Sequence, residues 1–218
     1  MPGATLAEEL RTANDRGGRP PAGDPGGRGD GWGGGGRAGT PRRAYYTGLV
    51  LGLGTILMFF LALVSAYIVR KGLGGDWRAT QLPPVLWLNT GVLAASSVTL
   101  EAARRSFRQG EAAGFARWWL AGLLLGIGFL AGQLVAWRQL AAQGVYLASN
   151  ASSSFFYVFT AAHGLHLVGG LCALLYVAAR GWSHLLRTDG LAAGMAAAYW
   201  HFMDGLWVFL LLLLYFGR

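Results

Sequence analysis

Five long stretches of the chain carry almost no charge, and this feature constrains the fold more than any other. Four of them contain no Asp, Glu, Lys or Arg: residues 44–69, 79–100, 118–137 and 139–179. In the fifth, residues 190–217, Asp204 is the only such residue. A helix needs about 20 mainly apolar residues to cross the hydrocarbon layer of a bilayer. The pattern therefore predicts an all-α integral membrane bundle of five transmembrane helices.

The predicted helices lie near residues 45–69, 84–104, 117–138, 154–180 and 193–216. The polar, uncharged segment between the third and fourth helices, residues 139–153, is predicted to be an external loop. The chain has a formal net charge of +8, but its basic residues lie in the N-terminal tail and at the edges of apolar segments. In a membrane protein such residues set topology, so we predict no nucleic-acid partner.

Residues 1–43 differ from the rest of the chain in composition. Thirteen of these 43 residues are Gly and five are Pro. Such a segment has too little apolar surface to offset the entropy lost on ordering. We expect a flexible N-terminal tail, residues 1–43, followed by a five-helix transmembrane domain, residues 44–218.

The distribution of Lys and Arg predicts the orientation in the membrane. Nine flank one side of the five predicted helices: Arg37, Arg42, Arg43, Arg104, Arg105, Arg108, Arg117, Arg180 and Arg187. Five flank the other side: Arg70, Lys71, Arg78, Arg138 and Arg218. Since the side richer in these residues faces the cytoplasm, we expect a cytoplasmic N-terminus and an external C-terminus.

Pairs of glycines four residues apart predict close helix packing. Small residues at this spacing allow two helix backbones to approach each other in lipid. The pairs are Gly48 with Gly52, Gly122 with Gly126, and Gly128 with Gly132.

Ionisable residues inside the predicted helices form a candidate polar network: His163, His166, His201 and Asp204, with Trp207 on the same helix as the last two. Such groups are costly at bilayer depth and need a partner or a cavity. With about 1.5 Å of rise per residue, Asp204 and His166 lie at similar depths. We predict a hydrogen bond between Asp204 and His166 or an adjacent polar group.

Three roles remain open for these residues at this point: a heme or metal site, a proton or ion path, and a structural network that joins two helices. Two axial heme ligands must lie on opposite faces of the ring at one height. His163 and His166, three residues apart on one helix, cannot satisfy this, and His163 and His201 differ in depth by about 12 Å. The residues thus predict no catalytic centre and no metal ligand, and the structural network is the favoured interpretation.

Three segments resemble the heme-copper oxidase subunit III family. Residues 162–170, AHGLHLVGG, resemble its HGxHxxxG motif, and residues 199–207, YWHFMDGLW, resemble its YWHFxDxxW motif. Residues 82–84, LPP, with 88–90, LNT, and 96–97, SS, resemble its LP…LNT…S(S/G) helix. The resemblance covers about residues 44–218 and fits the short, five-helix form of cytochrome c oxidase subunit III.

The resemblance implies a non-catalytic accessory subunit of a terminal oxidase in a bacterial-type inner membrane. Such a subunit packs beside catalytic subunit I, in a complex that also holds subunit II, and itself binds phospholipid but no cofactor. Heme and copper belong to the partner subunits, which couple electron transfer to oxygen with proton translocation. By analogy, Trp77, Arg78 and Trp200 are assigned to lipid binding.

Two positions depart from the family pattern, because Ile56 and Ala136 stand where many members carry Glu. Alternative functions are a quinol oxidase subunit III, a subunit III-like protein associated with nitric oxide reductase, a small transporter that uses Asp204 and His166, and a di-heme membrane cytochrome.

Overall fold

The computed structural model describes residues 42–73 and 83–217, which form five α-helices. Their bounds are Arg42–Leu73 for α1, Val85–Arg108 for α2, Ala112–Ala142 for α3, Ala151–Arg187 for α4 and Leu191–Phe216 for α5. Each is long and apolar enough to cross a membrane, which confirms the predicted all-α membrane fold. The tail up to residue 41, Trp77 and Arg78 lie outside the described residues, so their predicted roles stay predictions.

The helices extend further than the uncharged stretches indicated. α1 continues through Arg70 and Lys71 to Leu73, and α2 continues to Arg108. α3 runs to Ala142 and α4 begins at Ala151, so the predicted loop at residues 139–153 is too long at both ends. Hydropathy marks only the part of a helix that lies in hydrocarbon, whereas backbone hydrogen bonding continues the helix into the interface.

Local sequence determines where α4 begins and where it breaks. The side-chain oxygen of Asn150 accepts a hydrogen bond from the Ser153 amide at 2.9 Å, and the Ser153 hydroxyl accepts one from the Asn150 amide at 3.2 Å. This reciprocal capping satisfies amides that the first turn leaves free. At the other end, Gly181 has a φ of 72° and interrupts the helix. Glycine adopts a positive φ without steric cost, and the first straight segment of α4 therefore ends at residue 180, where the sequence predicted the helix to end.

α2, α3, α4 and α5 pack in a ring in which each helix contacts the next and α5 returns to α2. In the described part of the chain, the backbone of α1 approaches only α4 and α5. α1 starts beside the α4–α5 turn, where Arg42 pairs with Asp189, and ends beside Gly217, whose carbonyl accepts a hydrogen bond from Tyr67 at 2.8 Å. α1 and α5 are therefore parallel, and the starts of α1, α3 and α5 define one arginine-rich end of the bundle.

The glycine pairs of α3 lie at helix contacts, as predicted. A Cβ on Gly126 would lie 2.6 Å from Trp200, and one on Gly122 would lie 2.8 Å from Leu100. Gly132 lies directly against Asn89. Within residues 42–73 and 83–217, the prediction is not met for α1, since no atom there lies within 4 Å of a Cβ built on Gly48 or Gly52.

Candidate functional site

Asp204 lies on the face of α5 that meets α2, where Ser97 is its partner. The Ser97 hydroxyl donates a hydrogen bond to Asp204 Oδ2 and lies 2.9 Å from Nδ1 of His201. The Ser97 hydroxyl therefore lies between the carboxylate of Asp204 and the imidazole of His201. The other carboxylate oxygen, Oδ1, is buried without a partner among the described residues. Three polar side chains from two helices thus share one small site.

Two tryptophans on α5 donate hydrogen bonds to hydroxyl groups on one neighbouring helix, α2. The Trp200 indole donates to Ser96 Oγ at 2.8 Å, and the Trp207 indole donates to Thr90 Oγ1 at 3.0 Å. Both indole rings are buried. The LNT…SS segment and the YWHFMDGLW segment, recognised separately in the sequence, are therefore one continuous helix–helix contact that spans several turns.

His163 lies in the centre of the four-helix ring. Its side chain is fully buried, and neither ring nitrogen has a hydrogen-bond partner in the described chain. Its ring centroid lies 5.1 Å from that of Trp207 and 6.0 Å from that of Phe129. This surrounding of aromatic rings indicates a packing role within α3, α4 and α5.

Among the described residues, Asp204 makes no hydrogen bond to His166, and the alternative in the prediction, an adjacent polar group, is the one found, namely Ser97. Nδ1 of His166 lies 2.7 Å from the Ala162 carbonyl of its own helix, and its ring packs against Phe59 and Phe60 of α1. Equal depth was insufficient because the two side chains point to different neighbours. His166 faces α1, whereas Asp204 faces α2.

The glycines after His166 allow α4 and α5 to approach closely. A Cβ on Gly170 would lie 3.0 Å from Tyr199 and 3.1 Å from Trp200. The Tyr199 hydroxyl donates to the carbonyl of His166 at 2.9 Å. All three resembling segments thus meet in one core, with AHGLHLVGG on α4, YWHFMDGLW on α5 and LNT…SS on α2.

Apolar packing occupies the two positions where the family pattern has Glu. Ala136 is fully buried in the hydrophobic core. Ile56, on α1, is partly buried and packs against this core. Beside Ala136, Gln133 is buried with neither side-chain atom hydrogen-bonded in the described chain. Gln133 was not among the predicted site residues, although an amide within an otherwise apolar stretch is a signal that could have found it.

The arrangement favours helix association over metal binding. Within residues 42–73 and 83–217, no group of three or more His, Cys, Asp or Glu is placed to hold a metal ion. Trp200, which the resemblance assigned to lipid, is fully buried between helices. Its predicted lipid contact is therefore wrong, since no lipid reaches a side chain enclosed by α2, α3 and α4.

Comparison with known proteins supports the family resemblance of the segments that meet in this core. The family described as Cytochrome c oxidase subunit III matches residues 38–218. A protein of Mycobacterium tuberculosis named "Probable cytochrome c oxidase subunit 3" is 35% identical over 180 residues, which cover 78% of this chain and 87% of the relative. A Synechocystis protein named "Cytochrome c oxidase subunit 3" is 33% identical over 174 residues, with 77% and 73% covered. A protein of that name from Corynebacterium diphtheriae is 32% identical over 176 residues, with 78% and 86% covered.

Proposed function

The chain belongs to the cytochrome c oxidase subunit III family, and from this we propose that it is the non-catalytic accessory subunit of a terminal heme-copper oxidase that oxidises cytochrome c. Catalytic subunit I and subunit II are its proposed partners, and they carry the heme and copper. In this proposal the chain stabilises the catalytic subunit, binds phospholipid, and sustains the proton uptake that accompanies oxygen reduction.

The observation that carries the proposal is the convergence of the three family-like segments on one helix-packing core. Most of their polar side chains form hydrogen bonds between helices. Trp200 and Trp207 donate to Ser96 and Thr90, and Ser97 donates to Asp204. The described residues provide no cluster of metal ligands. A chain whose recognisable residues serve its own packing is suited to a scaffold that supports chemistry elsewhere.

The transporter alternative has lost its main support. It required Asp204 and His166 to share one site, and these residues contact different helices. The quinol oxidase and nitric oxide reductase alternatives concern the electron donor, which would bind to other subunits. The names of the relatives favour cytochrome c.

Co-purification from native membranes tests the proposal. A tagged copy of the full chain, extracted in mild detergent, is expected to bring with it a subunit that shows heme absorption and contains copper. The preparation should consume oxygen with reduced cytochrome c and should be inactive with quinol. An unrelated tagged five-helix membrane protein is the control. Recovery of a colourless chain alone, or of a complex that oxidises only quinol, would contradict the proposal.

We also propose that the arginine-rich end of the bundle faces the cytoplasm of a bacterial-type cell and that the C-terminus lies outside. Single cysteines test this in a Cys172→Ala background, with Tyr146→Cys in the α3–α4 turn and Thr188→Cys in the α4–α5 turn. A membrane-impermeant maleimide added to intact cells, or to spheroplasts where an outer membrane is present, should label the first variant and leave the second unlabelled. The reverse pattern would invert the orientation.

A further inference from the structure

A cavity at the arginine-rich end of the bundle is lined by more positive than negative charge. It has a volume of about 230 Å³ and lies where α1 and α5 begin and α2 ends. Its charged wall consists of Arg42, Arg104, Arg108 and Asp189. These residues come from three separate parts of the chain, so tertiary packing, and not a run of neighbours in sequence, brings the guanidinium groups together.

The ion pairs around this cavity leave positive charge uncompensated. Arg42 pairs with Asp189, while Arg104 and Arg108 share a single carboxylate, Glu101, at 3.0 and 3.3 Å. Glu101 also approaches Arg105, so two carboxylates serve four arginines, three of which line the cavity, and two net positive charges remain. Guanidinium groups bind phosphate oxygens in a fork geometry, with short, charge-assisted hydrogen bonds.

The remaining walls indicate that the anion carries hydrocarbon. The aromatic rings of Tyr46, Phe107 and Phe115 line the cavity beside the arginines. The cavity lies at the ends of membrane-crossing helices, at the level expected for lipid headgroups. Basic pockets between transmembrane helices bind the headgroups of anionic lipids. A volume of about 230 Å³ holds a phosphate and its ester carbons and leaves the acyl chains outside.

We propose that this cavity binds the phosphodiester of an anionic phospholipid, with Arg104 and Arg108 as its principal ligands and Arg42 at its rim. The proposal deepens the lipid-binding part of the proposed function by naming a site and a lipid class. It does not depend on which oxidase the chain joins, because every group involved belongs to this chain.

Native mass spectrometry of the full chain in mild detergent tests the site, with phosphatidylglycerol or phosphatidylethanolamine added in equal amounts. The wild-type chain should retain phosphatidylglycerol more strongly. The double variant Arg104→Gln with Arg108→Gln should lower its retention about tenfold, since two charge-assisted hydrogen bonds are lost. Arg105→Gln is the matched control, because Arg105 approaches the same carboxylate at 3.7 Å but does not line the cavity.

A variant that is expected to strengthen lipid retention distinguishes a change in affinity from misfolding. Asp189→Asn removes a negative charge from the wall and frees Arg42, so it should strengthen phosphatidylglycerol retention. Asn also tolerates the positive φ of 46° found at this residue. A misfolded variant could only weaken binding.

Several outcomes would overturn the proposal. They are equal retention of the two lipids, an equal loss with Arg105→Gln, weaker binding with Asp189→Asn, or displacement of the lipid by millimolar inorganic phosphate, which would make the site one for the free anion. The assay needs no partner subunit, so its failure is distinct from a failure to co-purify with a heme-containing subunit.

Discussion

The glycines of α3 and those of α1 have the same spacing but opposite surroundings. In α3, Gly122 and Gly126 lie against side chains of α2 and α5, at distances that leave no room for a Cβ. In α1, Gly48 and Gly52 have no described neighbour within 4 Å. Burial differs in the same way: 11% of the most apolar 18 residues of α1 are buried, against 39% for α3 and 44% for α5.

The same glycine spacing thus lies in two different environments in the described part of the chain. In the ring formed by α2 to α5, small residues allow tryptophans and polar side chains to interlock. On α1, Gly48 and Gly52 lie on a face that no side chain in the described ranges approaches within 4 Å of their Cβ positions.

Gly126→Leu should destabilise the chain most. The new side chain would overlap Trp200, whose nearest atom lies 2.6 Å from the Cβ position. Overpacking of this kind costs about 3 kcal/mol, and more where neighbours cannot move. Thermal unfolding in mild detergent, followed by circular dichroism, should show a large decrease in the midpoint. An unchanged midpoint would mean that α3 and α5 are not in contact.

Ser97→Ala should have the next largest effect. It removes the donor to Asp204, whose other oxygen already lacks a partner. A buried polar group left unsatisfied costs about 1–3 kcal/mol. The loss should shrink when Asp204 is replaced as well, as in Asp204→Leu, and Ser97→Thr, which keeps the hydroxyl, is the matched control. Additive effects in the double variant would show that the two residues do not interact.

His163→Leu should be close to neutral. The imidazole is fully buried, and its nitrogens have no partner in the described chain. Replacement of an unpartnered polar group by an apolar side chain of similar size removes a desolvation penalty. His163→Ala, by contrast, should cost about 2 kcal/mol or more, because it opens a cavity beside Trp207. A large loss with Leu would indicate that the ring nitrogens bind a group that matters for stability.

Gly52→Leu should have the smallest effect on the isolated chain. The new side chain meets no described atom, and leucine favours the helix over glycine by up to about 1 kcal/mol. The midpoint should stay the same or rise slightly. If the same variant lowers the yield of the assembled complex, the glycine face of α1 lies in an interface. A drop in the midpoint of the isolated chain would contradict the division between α1 and the ring.

The number of helices was predictable from sequence, whereas the contacts of individual side chains were less so. Uncharged length determines whether a segment can cross a membrane, and this criterion found all five helices. Depth could be calculated from helix rise, but the direction of a side chain around its helix depends on how the helices pack. For this reason the depth of Asp204 was useful, while its partner, Ser97 of α2, was missed.

The burial of individual side chains was equally hard to predict from the sequence. Family analogy assigned Trp200 to lipid, but the environment of its side chain is set by three other helices. Gly126 and Gly170 make room for its ring, and Ser96 accepts its indole hydrogen. No single segment contains this information. It becomes visible only when the three motif-bearing helices are brought together.

We propose that this chain supports a heme-copper centre held by other subunits, and this proposal can be tested directly. Its most direct test is to remove the chain from the purified oxidase, by gene deletion or by detergent, and to follow heme content, copper content and oxygen consumption during sustained turnover. The account predicts unchanged metal and heme per catalytic subunit, a nearly normal initial rate, and faster loss of activity as turnover proceeds. Loss of heme or copper in proportion to the chain removed, or activity that lasts equally long without it, would contradict the account.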